Sequence, residues 1–481
     1  MNRALEEHSK LGAELSADGV HDFRVALRRC ILIADVMREL DGGADWKALR
    51  EAAKDIFHEL GALSDARVLT EWIEKLRSPG DTSADPLLQA LREGCEKDRA
   101  AAQNAVRDFD RKQWRGWTGK LASHYQHVAS DRAVCESIAY EIWEAVRELH
   151  RRAQKSRSQI AYHRLRVGLK KFRYAAENFL PSLYSEWAPE LKSLQDVLGE
   201  AHDLSVLEQA IANDKGMKDE GARAAWIGKL REERSVRIRQ YRAKMAGKSS
   251  PLMIWRQGLP AGRELRLAGF SRLAEWAYFL TPDFSRVRRV ARIALQLYDG
   301  LANYGLVGRD SDFEERFILQ AAALLQEVGH SREGKPHHKM AFRMICKISP
   351  PPGWTKKDLE LVAVVARFHR RALPRPDHKV LRAYDFPMRH SLVLLAAILR
   401  FANAFRAKPY RAVRRLEVED CSGVIVVRAE GFSDSEPLEP KLAESRRLLE
   451  FTCQRSVHIL APGSKVMSHR ILRPATRIDA A

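Results

Sequence analysis

The sequence predicts a mostly α-helical protein: a duplicated helical bundle, followed by a second helical domain that ends in a small α/β cap. Three observations carry that prediction. Apolar residues recur at helical spacing through most of the 481 residues, which is the pattern of amphipathic helices. A block of the N-terminal half occurs twice. Strict polar/apolar alternation, the signature of a half-buried strand, appears only beyond residue 410.

The duplication is clearest in Tyr162–Tyr174, YHRLRVGLKKFRY. In a helix, at about 100° per residue, His163, Arg166, Lys170 and Arg173 share one narrow stripe, while Leu165, Val167, Leu169 and Phe172 fall elsewhere. Three cations and an imidazole are not core, because burying unpaired charge is too costly. The stripe also lacks the i,i+4 acidic partners that would balance it at a surface. Its twin is VHDFRVALRR (residues 20–29), with His21, Arg24, Arg28 and Arg29 at the same offsets and Ile31 in the place of Arg173. Downstream, KDIFHELGALSDARVL (54–69) returns as KSLQDVLGEAHDLSVL (192–207). Lys54 then corresponds to Lys192, Leu60-Gly61 to Leu198-Gly199, and Asp65 to Asp203. A repeat of about 140 residues is too long for a solenoid unit and reads as a duplicated half-domain. Two matched halves would bring the two basic helices together about a pseudo-two-fold axis.

In chain order, residues 3–40 read as helix around the first stripe, with Gly19 as a break, and Asp41-Gly42-Gly43 as a stop. Residues 45–78 read as helix interrupted near Gly61, ended by Ser78-Pro79-Gly80. Residues 85–127 form a long amphipathic region whose Trp114 and Trp117 belong to the core. Residues 131–182 carry a helix into the second stripe, closed by Pro181, and 188–213 hold the second Leu-Gly turn. Residues 220–245 are helical and very basic (Lys229, Arg231, Arg234, Arg237, Arg239, Arg242, Lys244), with Glu232 and Glu233 offsetting part of the charge. That face is either solvated or an additional anion-contacting edge.

Residues 246–283 are rich in Gly, Pro and Ser and read as a linker. Gly247-Lys248-Ser249 imitates the end of a phosphate-binding loop, but Arg242 stands where the earlier glycine belongs and no strand precedes it. Residues 284–408 are helical again, with Arg289–Gly305, Phe317–His330, His337–Ile345, Leu361–Pro374 and Leu394–Ala407 as helical stretches. In 409–481, VRRLEVEDCSGVIVVRAEG reads as a hairpin across Cys421-Ser422-Gly423, LEPKLAESRRLLEFTCQR as a helix, and SVHIL as a third strand. The tail after Pro474 reads as loose.

The formal net charge of +19 points to anionic partners: polyphosphate, nucleic acid or an anionic membrane face. No run of 18 apolar residues occurs, so no membrane-spanning helix is expected. The charged start MNRALEEHSKLGAEL does not read as a secretory signal. The six cysteines show no CxxC spacing and read as free thiols in a reducing cytoplasm.

The paired H-x-x-R-x-x-x-[RK]-[RK] helices, each followed by K-x5-LG-x3-D, resemble the CHAD domain over residues 1–245. That resemblance implies an all-helical duplicated bundle that binds inorganic polyphosphate. Ile31 and a short first helix depart from the pattern. The order and spacing of helices in residues 283–460 resemble the C-terminal HD-type domain of the exopolyphosphatase and guanosine-pentaphosphate phosphatase family. A working HD site holds divalent metal with histidines and aspartates from several helices. Here the first histidine position falls on Arg286, the His-Asp pair on Gln326-Glu327, the second histidine of an H-K-H motif on Met340, and the late aspartate on Asn403. The expectation is a site with neither metal nor cofactor. His330, His337, His338, His369 and His390 then read as hydrogen-bonded or surface histidines, or as anion contacts beside Arg367, Arg370 and Arg371. A single-metal set of Glu327, His338 and His369 is the alternative. The actin-like catalytic domain of that family has no counterpart here, nor does the E-x-E-x-K signature of the triphosphate-tunnel enzymes that accompany CHAD domains.

These readings converge on binding of polyphosphate without turnover, in the cytoplasm or on polyphosphate granules. His21, Arg24, Arg28, Arg29, Lys54, His163, Arg166, Lys170, Lys171, Arg173 and Lys192 would contact phosphates, arginine as a bidentate fork and lysine as a point charge. The histidines would add to binding when protonated below about pH 6.5. Asp65 and Asp203 would orient the cations. RNA or DNA binding is a rival, disfavoured because single-strand binders interleave stacking aromatics with cations, whereas only Tyr162 and Tyr174 flank these stripes. Phosphohydrolysis through the HD-like half, and recruitment of granule proteins through residues 285–481, are the other readings.

Overall fold

The structure is a computed structural model that describes residues 1–12, 15–214, 216–308, 314–331, 336–375, 377–421, 423–434 and 437–464. The chain divides into two compact units, Met1–Ala268 and Gly269–Ala481. It is mostly helical, with a three-stranded sheet near its C-terminus. Among the described residues no helix is long and apolar enough to cross a membrane.

The first unit begins with α1 (Asn2–Lys10) and α2 (Ala17–Leu40). The break expected at Gly19 lies earlier. The Ser16 hydroxyl accepts a hydrogen bond from the Gly19 N–H and so caps α2, which places Gly19 inside the first turn. Helix α3 (Ala44–Leu76) runs unbroken through Gly61, where an interruption was expected. One glycine in a long, well-packed helix costs only about 1 kcal/mol. The region read as one helix over 85–127 is two, α4 (Asp85–Arg107) and α5 (Arg111–Ser130), with Asp110 capping the second. Trp114 and Trp117 are buried as expected.

The second stripe likewise has its own helix. Helix α6 (Arg132–Ser156) ends where Arg157 adopts a left-handed conformation, φ 53°. The Ser158 hydroxyl then caps α7 (Gln159–Phe179) by accepting from the Ala161 N–H. Pro181 closes α7 and also opens α8 (Pro181–Asn213), where its missing N–H is no loss. Helix α8 passes straight through Gly199.

Helix α2 packs on α3 and α7 on α8, while α2 also meets α7 and α3 meets α8. The inward faces are the apolar positions of the repeat: Phe23, Leu27 and Met37 on α2, and Leu165, Leu169 and Phe172 on α7. Helix α9 (Glu220–Lys244) lies along α8, and a satellite core forms where Trp72 and Ile73 meet Leu204, Leu207, Trp226 and Leu230. Residues 246–283, read as a linker, are largely helical: α10 (Pro251–Gln257) and α11 (Gly262–Leu280). The division between the units falls within α11.

The second unit packs α12 (Phe284–Asn303), α13 (Glu315–Leu325) and α15 (Lys356–Arg367) around α16 (Phe386–Ala404), with α14 (His337–Ile345) against α15. From Leu392 to Ala402 every residue of α16 is buried, as expected for a central helix that is apolar on all sides. The cap follows as β1 (Arg415–Cys421), β2 (Val424–Glu430), α17 (Pro440–Cys453) and β3 (Ser456–Leu460). Strands β1 and β2 pair antiparallel, and β3 joins β2 in parallel after the α17 crossover. At the hairpin tip Gly423 has φ 88°, and its N–H donates to Asp420. Ser422 and the tail after Pro474 lie outside the described residues.

Candidate functional site

Arg24 and Arg28 are one turn apart on α2, and Arg166 and Lys170 are one turn apart on α7. Because these helices meet, the two pairs come within electrostatic reach of one another. Asp65 on α3 and Asp203 on α8, the two aspartates of the repeat, face the same cluster: both act on Arg166, Asp65 acts on Arg24, and Asp203 acts on Lys170. Four cations therefore share two carboxylates. The glycines of the Leu-Gly pairs sit where the arginines pass. A Cβ on Gly61 would stand 3.7 Å from Arg24 Nη2, and one on Gly199 would stand 4.0 Å from Arg166 Nε. The duplicated Leu-Gly is thus a packing feature of the site, not a helix break.

The Phe57 ring supports both guanidinium groups of the first half, with Arg24 4.8 Å and Arg28 4.9 Å from its centroid, a cation–π arrangement. Arg28 also donates to the Tyr174 hydroxyl at 3.3 Å. The Nε atoms of Arg24 and Arg166 are buried and find no hydrogen-bond partner among the described residues.

Burial and crowding depress the cations. The Lys170 ammonium is pushed down to about 7, first by burial and then by Arg166, Arg28 and Arg24, with Asp203 opposing. Burial also lowers Arg24 and Arg166, whose neighbouring cations add to the effect and whose nearby aspartates oppose it. An arginine so depressed stays charged at neutral pH. Burial raises the Asp203 carboxyl, against the pull of Arg166 and Lys170.

His163 is exposed at the edge of the cluster, with Nδ1 3.2 Å from Nδ1 of His202 on α8. Burial, then Arg166 and Lys170, holds His163 below the usual imidazole range. His202 lies lower still, at about 4, from burial first and then Arg166, His163 and Lys170. Protonation of His163 thus needs a more acidic medium than its sequence alone suggests.

The other expected residues are placed differently. Arg29 lies about 140° round the helix from Arg24 and pairs with Glu177 of α7 at 2.5 Å. Arg173 donates to the Tyr184 hydroxyl at 3.2 Å and to Gln195 at 3.0 Å, so it joins α7 to α8. His21, Lys171 and Lys192 are exposed and Lys54 is half-buried. Among the described residues these four make no side-chain hydrogen bond or ion pair. Tyr162 and Tyr174, expected to flank the stripes, are both 7% exposed and offer no open stacking face.

Sequence reasoning missed Phe57 and His202. Their repeat counterparts are Gln195 and Ser64, so the duplication carried no signal for either. The basic face of α9 is also less free than its composition suggests. Arg231 and Arg234 pair with Glu208, Arg237 with Glu200 and Glu233, Arg239 with Glu232, and Lys244 with Glu190. Three of those carboxylates belong to α8, which the sequence of α9 does not reveal.

In the second unit, the residues that stand where the sequence resemblance expects metal ligands mostly hold one another. Asn403 Nδ2 donates to Gln326 Oε1 at 2.7 Å. The Glu327 carboxylate accepts from Arg406 and lies 4.0 Å from Arg370. Arg286 pairs with Asp283 at 2.8 Å. A guanidinium thus stands against the Glu327 carboxylate. His369 is buried, bonds the Ala366 carbonyl through Nδ1 at 2.7 Å, and is held down at about 3 by burial. His338 is buried and lowered by burial and Arg367. His330 stacks on His337 with centroids 3.7 Å apart. Among the described residues no three histidine, cysteine, aspartate or glutamate side chains could hold a metal together, and the set Glu327, His338 and His369 is no exception.

Comparison with known families agrees with this two-part layout. A family model described as CHAD domain matches residues 3–212, and one described as Ppx/GppA phosphatase, domain III, matches residues 269–420. No curated protein gives a significant match to the chain.

The Glu327–Arg406 pair yields a stability prediction. Both side chains are largely buried, and removing one partner of such a pair leaves the other uncompensated. Glu327→Gln should destabilise the second unit by about 2 kcal/mol, seen as a lowered calorimetric transition. An unchanged transition would mean that the pair does not hold the unit together.

Proposed function

We propose that this chain, which joins a CHAD domain to a Ppx/GppA domain III, binds inorganic polyphosphate without hydrolysing it, in the groove between α2 and α7. The observation that carries the reading is the excess of half-buried positive charge. Arg24, Arg28, Arg166 and Lys170 repel one another, and Asp65 and Asp203 answer only part of that repulsion. A flexible chain of phosphates relieves it, accepts from the unpartnered Nε atoms of Arg24 and Arg166, and needs no base-stacking surface. Lys54, Lys171, Lys192, His21 and His163 extend the track on either side, while Arg29 and Arg173 act by holding α2, α7 and α8 in place.

The non-catalytic part of the proposal draws on the second unit, where Arg406 occupies the Glu327 carboxylate and an Asn–Gln pair stands at two further ligand positions. That unit then serves as an accessory binding or interaction domain, for example toward proteins of polyphosphate granules. We assign the protein to the cytoplasm on this reading.

The purified protein should retard long-chain polyphosphate in a gel. Arg24→Glu combined with Arg166→Glu should weaken binding by about a hundredfold, and affinity should fall as salt rises, because counterions are released on binding. Chains recovered from the complex after incubation with Mg²⁺ or Mn²⁺ should keep their length. Undiminished binding by the double variant would remove the site, and shortened chains would remove the non-catalytic reading.

Lys170 gives a pH signature. It faces Arg24 and Arg28 from α2, Arg166 on its own helix and Asp203 from α8, and it titrates at about 7 in the free protein. A bound polyanion favours the charged ammonium and raises that value, so binding above pH 7 takes up a proton. Affinity should therefore fall as pH rises from about 7 toward about 9. In Lys170→Arg, which stays charged throughout, the fall should disappear. A Lys170→Arg profile identical to wild type would assign the dependence to another group.

A further inference from the structure

A second cleft opens beside the cation cluster, between the start of α7, the middle of α8 and the C-terminal half of α9, with a volume of about 520 Å³. That is within the range of small-molecule sites. Its walls are of two kinds. Ile160, Leu198, Val206 and Ile238 supply an apolar surface, and Ile160 is 65% exposed, a high value for an isoleucine. Arg157 and Arg242 supply positive charge, and among the described residues neither has an acidic partner. This separates them from Arg234 and Arg239 in the same lining, which pair with Glu208 and Glu232.

Tyr162 provides an independent sign of a ligand. Its side chain lines the cleft and is only 7% exposed, yet among the described residues its hydroxyl has no hydrogen-bond partner. Arg242 and Arg157 both act on that phenol. A buried hydroxyl without a partner is costly, and one beside two unpaired guanidinium groups is suited to an anionic oxygen. His163 and His202 also line the cleft, and Arg166 and Lys170 act on both rings. A chain of phosphates held at Arg157 and Arg242 would therefore run toward the cation cluster.

We propose that this cleft binds an organic phosphate, a flat apolar group carrying a phosphate chain, with a nucleoside 5′-triphosphate as the type. The apolar wall has no use for bare phosphate and the arginines have none for a neutral ring; only a ligand with both parts satisfies both. The base packs on Ile160, Val206 and Ile238, with Gln209 at hand for a polar edge. The phosphates face Tyr162, Arg157 and Arg242. The site stands apart from the polyphosphate reading, since its lining shares only His163 with the residues assigned there.

Isothermal titration of the full-length chain carrying Arg24→Glu and Arg166→Glu, which disables the polyphosphate cluster outside the cleft, with ATP, adenosine and tripolyphosphate in the presence of EDTA tests the proposal. ATP should bind, and the other two should bind at least about tenfold more weakly. Added to that chain, Arg242→Ala and Ile238→Asp should each weaken ATP by about tenfold; placed singly in the wild-type chain, each should leave the gel retardation of long-chain polyphosphate unchanged, which also shows that the variants fold. Tripolyphosphate binding as tightly as ATP would mean that phosphate alone is recognised, and would overturn the assignment. So would absence of ATP binding, or undiminished ATP affinity with both substitutions. A second measurement uses the wild-type chain: 8-azido-ATP should photolabel peptides from residues 157–163 or 234–242, and labelling confined to other peptides would also reject the site.

Discussion

The mutual repulsion of Arg24, Arg28, Arg166 and Lys170 is the constraint on which the first unit turns. Nothing in the cluster makes these side chains seek each other; they are together because α2 and α7, each held by the burial of its apolar face among its neighbours, meet in the fold. Packing overrides electrostatics because burial of whole helix faces is worth far more than a few partly screened repulsions. The surrounding residues moderate the strain. Phe57 lies under two guanidinium groups, Asp65 and Asp203 balance part of the charge, and Gly61 and Gly199 leave room for the arginine side chains. What is left uncompensated is a net positive charge shared by the four side chains.

Helix α9 shows why arrangement matters more than the count of charges. It is among the most basic stretches of the chain, yet most of its cations meet carboxylates, several of them from α8. Those pairs fasten α9 to α8 and leave Arg242 as an arginine without an acidic partner among the described residues. The second unit applies the same logic with the opposite outcome. There an acidic residue, Glu327, is largely buried, and a guanidinium from its own unit meets it. The family relationship of residues 269–420 therefore describes a fold whose central groups are engaged with each other.

Much of this was legible in the sequence. The duplication was visible because the repeat keeps its cations, its Leu-Gly pair and its aspartate at constant spacing, and helical periodicity alone put Arg24 with Arg28 and Arg166 with Lys170. The α/β cap was visible because alternation in residues 415–430 has a period that a helix cannot use. Helix ends were less legible. The breaks at Gly19, Gly61 and Gly199 were expected from glycine, whereas the chain breaks where Ser16, Asp110 and Ser158 cap a following helix. Glycine only weakens a helix, while a cap satisfies backbone donors that would otherwise be unpaired.

By itself, then, the sequence determined which side chains share a helix face, because that depends on residues three and four apart. It could not determine which faces meet. Arg29 and Arg173 carry the same charge as Arg24 and Arg166, but only the packing of α7 against α2 and α8 gives them Glu177, Tyr184 and Gln195 as partners. The depressed lysine at position 170, the Phe57 platform and the unpartnered Tyr162 hydroxyl are likewise properties of neighbours far apart in the chain. Charge is encoded residue by residue, but its energy depends on the distances and burial that tertiary structure imposes.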